Sequence, residues 1–285
     1  MRGRVLLAGS VLAAIVVTVL TTVVLLLVEP TLSKAEAIKT GALAGGAVVA
    51  LYALWLNDRR RRTEEARHEL ESDKADDERF ARSVGLLGDE ADQVRVGALH
   101  ALAWLADSTP RYKQTVLDVF CAYLRRPFTH PSSPEADRER QVRLTTQRLI
   151  TDLLPWGQNP DPRAYHLDLT GASLEYFRLE GRRIGRLTVR RTRFYGITRL
   201  SEVHASKLAL FSGATFLGRV DLREARFEGG ISFQETAFNG EVAFNGASVS
   251  TFIDLNTAAP ERQTGTLAIT EGTVVKGDAS RWALA

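Results

Sequence analysis

Apolar and polar positions follow three rhythms along this chain. Residues 5–28, VLLAGSVLAAIVVTVLTTVVLLLV, run without a charge. A helix needs roughly 20 such residues to cross the hydrocarbon core of a bilayer, whereas the apolar region of a secretory signal runs about 7–15. A second, shorter apolar stretch, residues 40–56, follows the polar loop 29–39. Lys39 at its start would reach back to the interface with its ammonium group. The pattern predicts a transmembrane helical hairpin over residues 1–62, with spans at about 5–28 and 40–56. Gly41 and Gly45, continued by Gly46 and Ala50, form a stripe of small residues that lets helix backbones approach closely in lipid. We expect that stripe to pack on the first span, where Gly9 and Ala13 offer a notch; homodimerisation is the alternative.

The second rhythm is helical and amphipathic. Residues 63–78, TEEARHELESDKADDE, read as a solvated helix or linker. From there Phe80, Val84 and Leu87 recur at helical spacing and stop at Gly88. Val94, Ala98, Ala101, Leu102 and Leu105 line a second helix that Pro110 closes, and Ser108 or Thr109 can cap the next one. That helix carries Tyr112, Val116, Val119, Phe120 and Tyr123, and a fourth starts at Ser133-Pro134 and carries Val142, Thr145, Leu149, Ile150 and Leu153. Short helices, short turns and the segment VRVGALHALAWLA resemble HEAT-like or armadillo-like helical repeats. The resemblance covers about one and a half units and implies a small all-α module over residues 79–154.

The third rhythm repeats. Written in rows of eleven, the chain reads Ala214, Phe216, Gly218, Val220, Leu222; then Ala225, Phe227, Gly229, Ile231, Phe233; then Thr236, Phe238, Gly240, Val242, Phe244; then Ala247, Val249, Thr251, Ile253, Leu255. Upstream the large residues step by five through Leu169, Leu174, Leu179, Ile184, Val189 and Phe194, with Phe211 in a fainter row. Neither a helix nor a long flat strand has such a period. Alternation within a row is strand-like, and the glycine column suits corners that need positive φ or close backbone approach. Short strands, corners and a fixed repeat predict a solenoid. Each buried Val, Leu, Ile or Phe stabilises by roughly 1.5–3 kcal/mol, while ordering costs on the order of 1.5 kcal/mol per residue. One coil holds only a few large inward residues, so the copies must bury one another.

This segment resembles the pentapeptide-repeat family, whose signature of a small residue, any residue, then Leu or Phe appears here in GASLE and GATFL. The resemblance covers about residues 165–256 and implies a right-handed, four-sided β-helix with 22 residues per turn. Phe216 would then stack on Phe238 and Leu222 on Phe244. The expected inward core is Leu169, Leu174, Leu179, Phe194, Phe211, Phe216, Leu222, Phe227, Phe233, Phe238 and Phe244. Phe177 and Arg182 depart from the pattern, since they stand where the family prefers a small inward residue. After Asn256 the columns are lost, and residues 257–285 read as a cap over the last open edge. The fold class expected for the whole is a membrane-anchored α+β chain: hairpin, HEAT-like module, solenoid.

Charge adds an orientation and a candidate surface. Residues 1–62 carry eight Lys/Arg against three Asp/Glu, and residues 63–154 thirteen against seventeen, so the total of +3 hides a basic leading part. Arg2 and Arg4 precede the first span, and Arg59, Arg60, Arg61 and Arg62 follow the second. Lys/Arg placement of this kind puts both termini in the cytoplasm at a multi-pass cell-membrane protein, with the arginine run against anionic headgroups. Residues 178–199 hold eight arginines against the single acid Glu180. Arg178, Arg183, Arg186, Arg190, Arg191 and Arg193 are the candidate anion-binding or partner-binding residues; Arg178, Arg183 and Arg193 share one place in the five-residue period. Aromatic interleaving is poor, which weighs against nucleic acid.

Chemistry contributes little else. A single cysteine, Cys121, excludes an internal disulfide and sits in an apolar helical stretch, where a buried structural thiol is expected. The five histidines are scattered, and no glycine-rich phosphate loop, GxSxG, HExxH or Cys/His metal set occurs. We expect no catalytic residues, no cofactor and no metal. Carboxylates such as Asp221 and Glu224 fall on outward positions, where solvated charge is ordinary. The expected function is a membrane-anchored cytoplasmic scaffold, with the lipid bilayer and a protein as its partners. The alternatives are a resistance or immunity protein that shields a target from a toxin or antibiotic, or binding of anionic lipid or nucleic acid through the arginine-rich first coils.

Overall fold

The computed structural model describes residues 2–28, 34–128, 134–157 and 163–285 and divides into two units, Met1–Asp77 and Glu78–Ala285. Helix α1 is Arg2–Val28 and helix α2 is Lys34–Leu86. Among the described residues, Lys34–Arg59 is long and apolar enough to cross a membrane, and Val11–Val24 is a shorter apolar helical stretch. Loop residues 29–33 and the side chains of Arg2, Arg4 and Arg60 lie outside what the structure describes. The glycine stripe does pack on the first helix, but its partner is Ala14, Thr18 and Thr22 rather than Gly9 and Ala13. A Cβ on Gly41 would collide with the Thr22 hydroxyl and lie 2.8 Å from the Thr18 carbonyl oxygen; one on Gly45 would lie 3.0 Å from the Ala14 carbonyl oxygen. The Thr18 and Thr22 hydroxyls donate back to the carbonyls of Ala14 and Thr18, both at 2.8 Å, so neither is left unpaired at the contact.

The charged stretch 63–78 is helix, continuous with what precedes and follows it. Residues 47–84 contain no glycine or proline, and pairs at helical spacing support the exposed turns: Arg62 with Asp58, Arg61 with Glu65 and Arg67 with Glu71, each 2.9 Å.

In the second unit, α3 (Asp92–Ser108), a 3-10 turn at Pro110–Tyr112, α4 (Lys113–Arg125) and α5 (Pro134–Leu153) pack on one another. Phe80 of α2 stacks on Tyr112 with ring centres 5.6 Å apart. On α3 the inward residues are Ala98, Leu99, Leu102, Leu105 and Ala106; Ala101 is exposed, so the buried face is rotated from the expected one. Neither Ser108 nor Thr109 caps the following turn by its side chain, and the Ser108 hydroxyl donates instead to the Leu105 carbonyl at 3.2 Å. Ser133, the expected cap of α5, lies outside the described residues.

From Leu167 the chain coils through strands of two or three residues, each stacked in parallel on the strand one coil earlier, so that four flat sheets form four faces. Face one starts at Leu167–Asp168, face two at Ser173–Glu175, face three at Thr198–Arg199 and face four at Arg183–Ile184. A bridge between Arg178 and Arg199 extends face three back by one coil. Leu174 pairs with Phe194 twenty residues on, and Phe194 with Phe216 twenty-two on; Phe216 then pairs with Phe238, and Val220 with Val242, again at twenty-two. The Phe194, Phe216 and Phe238 rings form one stack, with centres 4.5 and 5.4 Å apart.

Of the eleven expected core residues, ten are buried and Phe238 is half-buried. Its strand, Ala237–Phe238, is the last on face two, so no further strand stacks on it, and Trp282 meets its ring at right angles with centres 6.0 Å apart. The segment after Asn256 does more than cap. Gln263–Thr264, Ala268–Ile269 and Val274–Lys276 continue faces three, four and one in register. The inward columns thin out there: Gln263 stands opposite Val242, and Val275, opposite Ile253, is exposed, while Ile269 opposite Val249 still packs on the core. The final residues then close back, with Leu267 bridging Leu284 and Trp282 stacked 5.5 Å from Phe233.

The glycine column owes its composition to close approach more than to backbone angle. Of Gly196, Gly218, Gly229 and Gly240, only Gly196 has positive φ; a Cβ on Gly218 would collide with the Gly196 carbonyl oxygen and lie 2.7 Å from its carbon. Gly218→Ala should therefore cost about 1–3 kcal/mol through forced backbone shifts. Gly97→Ala, inside α3 with nothing within 4 Å, should stabilise by about 0.5–1 kcal/mol through helix propensity. Opposite shifts in melting temperature would confirm the pair. Positive φ recurs regularly at a different corner, at Gly171, Gly181, Arg191, Glu202, Gly213, Glu224, Glu235 and Gly246, while the glycine column shows it at Tyr176, Gly196 and Thr251.

The helices cover the first coil's open edge. Thr151 donates to the Arg178 carbonyl at 2.7 Å, Arg143 to the Ser173 carbonyl at 3.3 Å, and Pro155 accepts from the Arg183 amide at 2.8 Å. Gln114 of α4 clamps His166 through both its backbone groups, at 2.8 and 2.9 Å. One continuous apolar core thus runs from the helices into the solenoid.

Candidate anion-binding surface

Five residues carry the chain from one face to the next, so an equivalent place in the repeat recurs on successive faces. Arg178 lies on face three, Arg183 on face four and Arg193 on face two. Arg186 is at the turn between faces four and one, and Arg190 and Arg191 at the turn between faces one and two. The six arginines encircle the early coils instead of converging.

What does converge is a different set. Arg178 and Arg199 are direct neighbours across the ladder, and like charges placed so repel. Together with Arg148 of α5 they line a depression of about 220 Å³ that Leu144, Gln147, Thr151, Glu175, Tyr176 complete. Glu175 is already held by Arg140, whose guanidinium donates to both its carboxylate oxygens at 2.5 and 2.7 Å. Arg148 was not legible as a partner of this pair, because helix packing on the first coil is what brings it there, whereas the coil ladder itself sets Arg199 beside Arg178.

Arg182 is accommodated inward-side by specific partners. Its guanidinium lies 3.7 Å from the centre of the Trp156 ring and donates to the Leu154 carbonyl at 2.9 Å. The register expected around it holds, with Ile184 buried beside it and paired with Ala205. A wider, mixed-charge depression of about 450 Å³ on face four is lined by Trp156, Glu202, His204, Glu224 and Arg226; His204 Nε2 lies 2.7 Å from Glu228.

Asp221 is not solvated as expected. It is 6% exposed, and the Arg223 guanidinium donates to it at 2.8 and 2.7 Å, which holds its carboxyl below the usual range. The Asp221 carboxylate also accepts from the Arg223 amide at 3.2 Å, and Asp168 and Asp254 make the same turn with the amides of Thr170 and Asn256. Burial pushes the Cys121 thiol up to about 12, so it stays protonated and is a poor nucleophile. Among the described residues, no three His, Cys, Asp or Glu side chains gather as a metal site.

His166 couples the helices to the coil, since its Nδ1 accepts from the Arg186 amide at 2.9 Å. Burial, then Lys207 and Arg186, hold its pKa below the ordinary 6.5. The unfolded chain therefore takes up the proton first, and stability falls as pH drops below about 6.5. Melting temperature should decline from pH 7 to pH 5, and His166→Asn, which keeps an acceptor but does not titrate, should flatten that decline.

A family model, Pentapeptide repeats (9 copies), matches residues 190–236 and 211–252. The C-terminal solenoid carries pentapeptide repeats. The match begins one coil after the first strand and ends before Gln263, so it takes in neither the helix-covered first coil, which the five-residue period marks in the sequence, nor the closing coil. A pentapeptide-repeat solenoid fits a non-catalytic repeat protein. No curated protein and no solved structure matches the chain.

Proposed function

We propose that the chain is a membrane-anchored cytoplasmic scaffold that holds a pentapeptide-repeat solenoid at the bilayer and offers its faces to a protein partner. The reading rests on finding, in one chain, an apolar helical segment able to cross a membrane, Lys34–Arg59, and a solenoid whose large side chains point inward while polar and charged ones point out. The arginine run 59–62 after that segment supports a cytoplasmic orientation. Two spans and two cytoplasmic termini complete the proposal.

The full chain should pellet with membranes and resist alkaline carbonate, and an alkaline phosphatase fused after Ala285 should stay inactive. Recovery in the soluble fraction, or an active phosphatase, overturns the anchor and its orientation. Photo-reactive groups placed at exposed Arg193 on face two and Arg226 on face four should capture a specific protein in native membranes. Failure to capture any protein from either face overturns the scaffold role.

A further inference from the structure

We infer that the depression between α5 and the first coils is a binding site for a phosphate group that carries a hydroxyl, either hydrogenphosphate or a hydroxylated phosphomonoester. Three arginines line it from three elements: Arg148 from α5, Arg178 from the first coil and Arg199 from the second. Among the described residues none of the three is paired with a carboxylate, and Glu175, the acid at the rim, is occupied by Arg140. Guanidinium forks match phosphate oxygens in geometry and charge. An anion between Arg178 and Arg199 would also remove the repulsion that the ladder imposes on them.

Gln147 supplies the independent sign. It is 6% exposed, lines the depression, and its Oε1 is buried with no hydrogen-bond partner. An acceptor left unpaired in a buried site is costly unless a ligand or water donates to it. An arginine-lined site that also presents an acceptor selects an anion with a hydroxyl of its own. A volume near 220 Å³ admits a phosphate with a small attached group, and the internal phosphates of a nucleic-acid strand are diesters with no hydroxyl to donate.

The site does not depend on the membrane reading, so it is tested on the full chain in detergent. Inorganic phosphate at pH 7 and constant ionic strength should bind saturably by calorimetry. Arg178→Gln and Arg199→Gln should each weaken it at least tenfold, while Arg193→Gln, an equal charge loss on face two, should stay within twofold of the wild type. Sulfate, which carries no hydroxyl at this pH, should bind at least fivefold more weakly than phosphate, and Gln147→Leu should close that gap. If Arg178→Gln lowers the melting temperature, Arg148→Gln, on the exposed side of α5, gives the same reading without touching the coil. A second arm uses detergent micelles containing phosphatidic acid. Binding there with the same variant pattern identifies a lipid headgroup as the source, and binding confined to inorganic phosphate identifies a soluble one. No saturable binding in either arm, equal loss with Arg193→Gln, or sulfate bound as tightly as phosphate overturns the proposal.

Discussion

Phe216→Ala should destabilise the solenoid by about 3–5 kcal/mol, the usual cost of truncating a buried Phe. Phe216 is 1% exposed and sits between Phe194 and Phe238, with ring centres 4.5 and 5.4 Å away and planes nearly parallel at 9° and 4°. Phe211 touches the same ring from the neighbouring face at 6.0 Å. The column is held in place by short strands above and below, so it cannot close over the gap, and the transfer loss is joined by a cavity term. Leu217, the next residue, is 43% exposed, and Leu217→Ala should cost under about 0.5 kcal/mol. Because each coil contacts only its neighbours, hydrogen exchange in Phe216→Ala should rise in the coils on both sides and stay low in α3–α5. Equal effects from the two substitutions would mean that the strand register is wrong.

Arg143→Met should cost about 3–5 kcal/mol, and for another reason. Arg143 is 2% exposed and donates to the carbonyls of Tyr123 at 3.5 Å, Leu124 at 2.5 Å and Arg126 at 3.4 Å, where α4 ends, and to Ser173 at 3.3 Å on the first strand of face two. Helix C-termini leave their last carbonyls without internal partners, and here one guanidinium serves three of them and a coil edge together. Its ring contact with Phe128, 4.8 Å from the centre, and Glu139 at 4.0 Å offset part of the cost of burying its charge. Methionine fills the volume but leaves those acceptors buried and unpaired, at about 1–3 kcal/mol for a buried polar group. The signature is spatial. Exchange protection should fall at the end of α4 and in the first coil together, and Arg143→Lys should recover part of it, since one ammonium cannot span the fan of acceptors. Loss confined to the helices would show that the coil does not rely on this residue.

The inward columns were legible because burial imposes them directly. Phe194, Phe216 and Phe227 recur at spacings that no helix or flat strand produces, and the stack follows from arithmetic alone. Corners were less legible. Glycine was expected where φ turns positive, yet Arg191, Glu202, Glu224 and Glu235 hold φ of 53° to 56°, because the tight turn and the ladder around them fix the backbone whatever the side chain. Boundaries blurred for a similar reason: Gln263 and Val274 extend the coils through main-chain bonds, which leave no mark on hydrophobicity. The junction was hidden altogether. Arg143, Gln114 and His166 act through contacts between segments distant in sequence, and a lone polar residue in an amphipathic helix reads as solvent-facing until its partner is known. The same blindness separated Arg148 from Arg178 and Arg199.

The constant spacing of the middle coils makes the molecule a ruler. Val220, Phe227 and Ile231 meet Val242, Val249 and Ile253 after the same 22 residues, while the helices finish one end and Trp282 the other. Length is thereby separated from the chemistry of the ends. Duplicating residues 214–235 would carry the far end outward by about 4.8 Å, one strand spacing, and leave both termini with the neighbours they already have. Whatever grips one face would meet the same outward pattern again at the next graduation.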